Sequence, residues 1–137
     1  MIRTLVDCGP LVAFYDRKDK WHRWAHVQMD ALTPPLFTTE PVLTEACFLL
    51  QRGTGNPAVI LRAVQRGILQ IAFDVETEVS ALETLIERYA DVPMSLADAS
   101  LVRLSELQRD SRVFTLDRDF RQYRRHSRQV IPLLAPW

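Results

Sequence analysis

The sequence predicts an α/β fold, a three-layer α/β/α sandwich around a central, mainly parallel sheet. Three observations carry this expectation. Short runs rich in β-branched and aromatic residues alternate with longer stretches of helical periodicity, the pattern of strands joined by crossover helices. Such crossovers are right-handed and lay their helices against the faces of the sheet. The chain's 137 residues, 47% of them hydrophobic, can bury roughly 68% of the unfolded surface, so a core forms without disulfide or metal staples.

The first strand is expected over Ile2–Val6, followed by helices near 10–16 and 20–31. Leu36–Thr38 reads as the second strand. The helices after it, about 41–52 and 57–66, carry their own punctuation: Pro41 and Pro57 suit first helical positions, Asn56 suits an N-cap, and Gly53 and Gly67 suit C-terminal caps. Leu69–Phe73 is the third strand, with helices near 76–90 and 96–109 behind it. Val113–Leu116, a short helix near 118–125 and a last strand over Val130–Leu133 complete the order. No repeat, low-complexity tract or linker divides the chain, so one domain is expected over 1–137.

Cys8 and Cys47 both lie in apolar segments, and no basic-apolar-cleavable leader precedes the first strand, which reads as a reduced, cytoplasmic protein. No apolar stretch approaches the roughly 20 residues that span a bilayer, so no membrane is expected as a partner. The 17 basic and 17 acidic residues cancel, which argues against an indiscriminate nucleic-acid binder. The cancellation hides a separation. Residues 71–98 carry seven acids against Arg88 alone, whereas 103–128 carry eight arginines against four acids. That separation fits an acidic site beside a basic surface, and equally two solvated helices of opposite charge.

In open parallel sheets, ligands collect beyond the carboxyl ends of the strands. Asp7 follows the first strand directly, and Asp117 follows Val113–Leu116, with Asp119 two residues on. Either aspartate also suits a helix cap. Glu45 lies between Val42 and the pair Phe48 and Leu49, on a helix apolar nearly all round, so it is expected to be buried. A buried carboxylate costs several kcal/mol unless a partner or a shifted pKa relieves it. A salt bridge to an arginine, or escape to solvent near the helix start, would also satisfy it. Asp98 shares a helix face with Leu101, Val102 and Ser105, while Ser95-Leu96-Ala97-Asp98 also matches a capping box.

These four acids can converge on one crevice only against their mutual repulsion. Two like charges roughly 4 Å apart repel by about 4 kcal/mol at an effective dielectric near 20. A hard divalent cation relieves that repulsion. Mg²⁺ and Mn²⁺ prefer oxygen ligands, can activate a water, and stabilise charge developing on a phosphodiester.

Four segments in order resemble the PIN-domain ribonucleases, in particular the VapC-type toxins of bacterial toxin–antitoxin pairs. Leu5-Val6-Asp7-Cys8-Gly9-Pro10-Leu11-Val12-Ala13 is similar to the family's opening strand and turn, and Val42-Leu43-Thr44-Glu45-Ala46 to its helical glutamate motif. Ser95-Leu96-Ala97-Asp98-Ala99-Ser100-Leu101 and Phe114-Thr115-Leu116-Asp117-Arg118-Asp119-Phe120 resemble the third and fourth acidic motifs. The resemblance runs the whole length and implies Mg²⁺ or Mn²⁺ at Asp7, Glu45, Asp98 and Asp117, and endonucleolytic cleavage of RNA. It makes Asp7 and Asp98 the most direct metal ligands, with Asp117 completing the pocket and Glu45 binding metal or orienting the attacking water. Asp119 is a further acid of the last motif. A cognate antitoxin protein and a homodimer are the partners it implies. The sequence departs from the pattern at Cys8, where many members carry Thr or Ser.

After the fourth motif, Arg118, Arg121, Arg124 and Arg125, with His126, Arg128 and Tyr123, form a basic stretch suited to RNA phosphates, with Phe120 or Tyr123 stacking a base if exposed. A solvated amphipathic helix has the same composition. His22 and His26 stand at i and i+4, a weak zinc spacing without a further ligand; the nearby Trp21 and Trp24 suit helix packing or a partner surface. Cys8 has no histidine tied to it that would make a reactive thiol. The reading is therefore a metal-dependent endoribonuclease. The alternative is a catalytically weak PIN-like module that binds RNA or protein. A phosphoacceptor signalling domain fits worse, since it wants a lysine after a late strand and Lys18 and Lys20 are the only lysines.

Overall fold

A computed structural model describes residues 1–137. Five short strands make the central sheet: β1 (Arg3–Val6), β2 (Leu36–Thr38), β3 (Leu69–Ile71), β4 (Ser111–Phe114) and β7 (Leu133–Leu134). Their order is β3-β2-β1-β4-β7, and every pairing is parallel. The helices are α1 (Cys8–Tyr15), α2 (His22–Ala31), α3 (Glu40–Arg52), α4 (Ala58–Gln65), α5 (Val79–Arg88) and α6 (Leu96–Leu107). A two-stranded antiparallel ribbon, β5 (Arg124–Arg125) with β6 (Gln129–Val130), stands apart from the sheet. The expected α/β/α sandwich is the observed one.

β1 and β4 are the centre of the sheet because their side chains suit burial on both faces. Leu5, Val6, Val113 and Phe114 are fully buried, as strands covered by helices on either side require. The ladder from Arg3↔Ser111 to Val6↔Phe114 starts β4 two residues earlier than its apolar run, since ladder pairing rather than hydropathy sets the boundary. Helix starts are shifted from the expected punctuation: α3 begins at Glu40, one residue before Pro41, and Pro57 rather than Asn56 is the cap residue of α4. The Thr39 hydroxyl accepts the Val42 N–H at the head of α3, and the Ser95 hydroxyl accepts the Asp98 N–H at the head of α6.

Three expectations fail for physical reasons. The helix expected near 118–125 is a single 3₁₀ turn over Arg118–Arg121, after which the chain reverses through His126 and Ser127, both with positive φ, into the ribbon. The strand expected over Val130–Leu133 is split. Pro132 has no N–H to give a ladder, so Val130 pairs in the ribbon and Leu133 begins β7. Helix α3 is not buried all round: Phe48 is 55% and Leu49 38% exposed, so Glu45 lies half-buried at the edge of a cleft.

One polar tie fixes the far ends of α1 and α3. The carboxylate of Asp16, buried just past α1, accepts the Lys18 N–H and is held by the Thr54 hydroxyl and N–H beyond α3. Gly53 lies under it, and a Cβ there would stand 2.5 Å from Asp16 Oδ2. Because the carboxylate is pinned by three donors it cannot swing away. Gly53→Ala is expected to cost about 1–3 kcal/mol in urea unfolding; an unchanged midpoint would show that this tie yields without cost.

Candidate active site

The parallel register of β1 and β4 brings their carboxyl ends side by side, and the residues just beyond them define the site. The Asp7 N–H donates to Phe114 O at 2.9 Å, extending the ladder by one step. The Asp7 carboxylate, only 3% exposed, accepts the Cys8 N–H at 2.8 Å and the Thr115 hydroxyl at 2.7 Å. Thr115 in turn accepts the Asp117 N–H at 2.9 Å. Since that N–H can only donate, the proton order is fixed from Asp117 N–H through the Thr115 hydroxyl to Asp7 Oδ2. One side chain thus holds both post-strand acids.

Asp98 comes from the first turn of α6 and is buried. Its N–H meets the Ser95 hydroxyl, but its carboxylate turns away from the cap and accepts the Tyr123 hydroxyl at 2.9 Å. Tyr123 is itself fully buried, with Phe120 and Tyr89 packed edge-on against its ring. Glu45 is brought in by α3, whose start is fastened to α6 by a second directed chain. The Val42 N–H donates to Thr39, Thr39 to Ser100 at 2.7 Å, and Ser100 to Ala97 O at 2.7 Å.

The electrostatics show that these acids share one region. Burial raises the Asp7 carboxyl to about 7, against its two hydrogen bonds, and the charges of Asp98 and Asp117 add to the rise. Burial also raises Asp98, with Asp117 and Glu45 contributing and the Tyr123 bond opposing. Asp119 is raised by burial and by Asp117. The Cys8 thiol is pushed well above its usual range by burial, then by Asp7 and Glu45, so it remains a neutral thiol. Burial and Asp98 do the same to the Tyr123 phenol, which keeps the proton it donates. No arginine, lysine or histidine pairs with any of these acids; the ion pairs in the structure are Arg103 with Glu78 and with Glu106.

Such a set of oxygen donors without a basic neighbour fits a hard divalent cation. No three acidic, histidine or cysteine side chains already stand as a group that could hold one ion. Mg²⁺ commonly keeps several waters and takes one or two carboxylates directly, so the donor chemistry fits without a closed cage. A cleft of about 700 Å³ opens beside Glu45, lined by Pro41, Thr44, Phe48 and Leu96 among others, and the three aspartates lie outside its lining.

The structure thus puts Asp7, Asp98 and Asp117 where each feels another's charge, with Glu45 acting on Asp98 and Asp117 on Asp119, but it gathers no three of them around one point. Both post-strand aspartates also cap, Asp7 at Cys8 N–H and Asp117 at Asp119 N–H, so capping and site roles coexist. The basic stretch divides. Arg118 and Arg121 are exposed on the 3₁₀ turn and lie 5.2 and 5.7 Å from the Trp137 ring centre. Arg124 is half-buried and donates to the Arg121 and Tyr123 carbonyls. Arg125 is not available to RNA: it is 6% exposed, and its guanidinium donates to Arg109 O, Ser111 O and the Ser111 hydroxyl. Phe120 and Tyr123 are buried as well and stack no base.

The histidine pair has a packing role. His22 Nδ1 donates to Ala13 O, and the His26 ring stacks on Phe14 at 4.2 Å. Thr115 and Trp137 were not foreseen as site residues, and Tyr123 was foreseen as a base-stacking ring and not as the donor to Asp98. Thr115 had a legible signal, a hydroxyl at a strand's carboxyl end two residues before an acid. The bond of Tyr123 to Asp98 and the placing of Trp137 had none, because the partners lie 25 and 16–21 residues away.

Comparison with known proteins gives a consistent result. The sequence model of the PIN domain matches residues 4–126. Ribonuclease VapC26 of Mycobacterium tuberculosis (strain ATCC 25618 / H37Rv) is 25% identical over 116 residues, which cover 83% of this chain and 86% of the relative. The crystal structure of Mycobacterium tuberculosis VapC20, a sarcin-ricin loop cleaving toxin, superposes with a TM-score of 0.71 at 24% identity, covering 85% of this chain and 91% of that one. No helix is long and apolar enough to cross a membrane.

The sign of the Asp7 shift gives a test. A carboxyl raised from 3.8 to about 7 stabilises the fold fully below its unfolded pKa, and that contribution is lost as pH rises through the folded value. In EDTA, Asp7→Asn should therefore melt roughly 5 °C or more above the parent at pH 8, with the gap closing toward pH 4. A gap independent of pH would remove burial of the Asp7 charge as the cause.

Proposed function

The chain belongs to the PIN-domain family, and from that premise we propose that it is a metal-dependent endoribonuclease, the toxin of a toxin–antitoxin pair. One observation supports the reading: Asp7 and Asp117 follow the adjacent ends of β1 and β4, the charges of Asp98 and Asp117 act on Asp7 and those of Asp117 and Glu45 on Asp98, and no basic side chain is paired to any of them. Asp7, Asp98 and Asp117 would hold Mg²⁺ or Mn²⁺, and Glu45 would complete that set or orient the attacking water. Asp119 is a further acid at the same edge. When bound, the ion supplies an activated water and neutralises charge developing on the phosphodiester.

The chain's own residues do the positioning. Thr115 keeps Asp7 and Asp117 in fixed relation, and Tyr123 orients Asp98. Arg118 and Arg121 present unpaired guanidiniums beside the acids, which suits RNA phosphates on either side of the bond to be cut. Cys8 does not argue for an inert module. Asp7 is oriented by the Cys8 backbone N–H and by Thr115, and neither contact uses the thiol. RNA is the substrate, a cognate antitoxin protein the partner, a homodimer the assembly and the cytoplasm the place of action in this reading.

Purified protein is expected to cut mixed RNA in Mg²⁺ or Mn²⁺ and to stop in EDTA. Asp7→Asn or Asp98→Asn should lower kcat at least about a hundredfold, and Thr115→Val or Tyr123→Phe about 10- to 100-fold, as for groups that orient metal ligands. Cleavage that survives EDTA and both Asn variants would sink the assignment. Binding of RNA without cleavage in either metal would instead favour the catalytically weak module.

A further inference from the structure

Arg118 lies between Asp117 and Asp119 in the sequence and Arg121 two residues beyond Asp119, yet neither arginine pairs with a carboxylate. The reason lies in the 3₁₀ turn and in Trp137. On a 3₁₀ turn, side chains at i and i+3 eclipse, so Arg118 and Arg121 project together. Both guanidiniums lie over one indole, 5.2 and 5.7 Å from its centre, an attraction of cation to ring face.

The indole is placed from two directions. β7 pairs with β4 through Val113↔Leu133 and Phe114↔Leu134, and the Thr115 N–H donates to Leu134 O, so the following segment runs beside the extension of β4. There the Trp137 N–H donates to Leu116 O at 3.3 Å, one residue before Asp117. Trp137 thus grips the same segment that carries the last acids and both arginines.

We propose that Trp137 is a positioning residue for RNA. It holds Arg118 and Arg121 together as a phosphate-binding pair and keeps them from folding onto Asp117 and Asp119. This rests on the ribonuclease reading for the identity of the ligand. Two guanidiniums held by one ring lose less conformational freedom on binding than two free ones, so the gain appears in substrate affinity rather than in the chemical step.

The test compares the parent, Trp137→Ala, Trp137→Phe, Arg118→Ala/Arg121→Ala, and the triple variant on single-stranded RNA in Mn²⁺. Trp137→Ala should raise KM on the order of tenfold while kcat changes little, and Trp137→Phe should recover most of that loss. The triple variant should match Arg118→Ala/Arg121→Ala, because the ring acts through the two arginines. An unchanged KM in Trp137→Ala, or a fall in kcat with lowered melting temperature that Phe does not relieve, would overturn the proposal. RNA affinity is read separately by fluorescence anisotropy with each substitution placed in Asp7→Asn. If the parent cuts no RNA, the ribonuclease reading fails, and anisotropy alone decides this one: weaker binding by Trp137→Ala supports it, and equal binding overturns it.

Discussion

Everything at the carboxyl edge of this sheet is arranged around one unfavourable interaction, the mutual repulsion of carboxylates drawn out of water. Burial is the largest cause that raises the Asp7 and Asp98 carboxyls, and the charges of the neighbouring acids add to it. The fold does not relieve this with a basic neighbour. It holds the acids on backbone that has few alternatives: the strand end after Val6, the strand end after Phe114 and the first turn of α6. Rigid attachment keeps these acids near one another, and in the proposed reading a divalent cation would balance their charge.

That attachment is made by hydroxyl groups with determined proton order. Thr115 links Asp117 to Asp7, and Thr39 with Ser100 links α3 to α6. In each case a backbone N–H occupies an acceptor position, so the hydroxyl proton has one direction left. The same logic explains why Tyr123 must stay a phenol. Its burial and the nearby charge of Asp98 both resist ionisation, and only the protonated form can donate to that carboxylate.

The sheet, its helices and the positions of Asp7 and Asp117 just past strands and of Asp98 in the first turn of α6 were legible because each rests on local signals: strand-like runs, caps, and acids at strand ends or helix starts. Glu45 was expected to be buried and is half-buried instead, since α3 leaves Phe48 and Leu49 in solvent rather than burying every face. The stretch after Asp117 was misread. Its composition suits a basic helix, but Tyr123 and Arg125 are both drawn inward by groups distant in sequence, and Pro132 divides what looked like one strand. Hydropathy treats arginine as surface; here the three carbonyl and hydroxyl oxygens around Arg125 outweigh that preference.

The small ribbon has an effect beyond its size. Two residues on each side make a pairing too short to stand alone, so it persists only through what anchors it: Arg125 in the β4 entrance, Glu106 accepting the His126 N–H, and Tyr123 in the core. Opening the ribbon would withdraw Tyr123 and release Asp98. A ribbon that opened before the whole fold did would limit the site's lifetime, and amide exchange faster in residues 123–130 than in the sheet would record it.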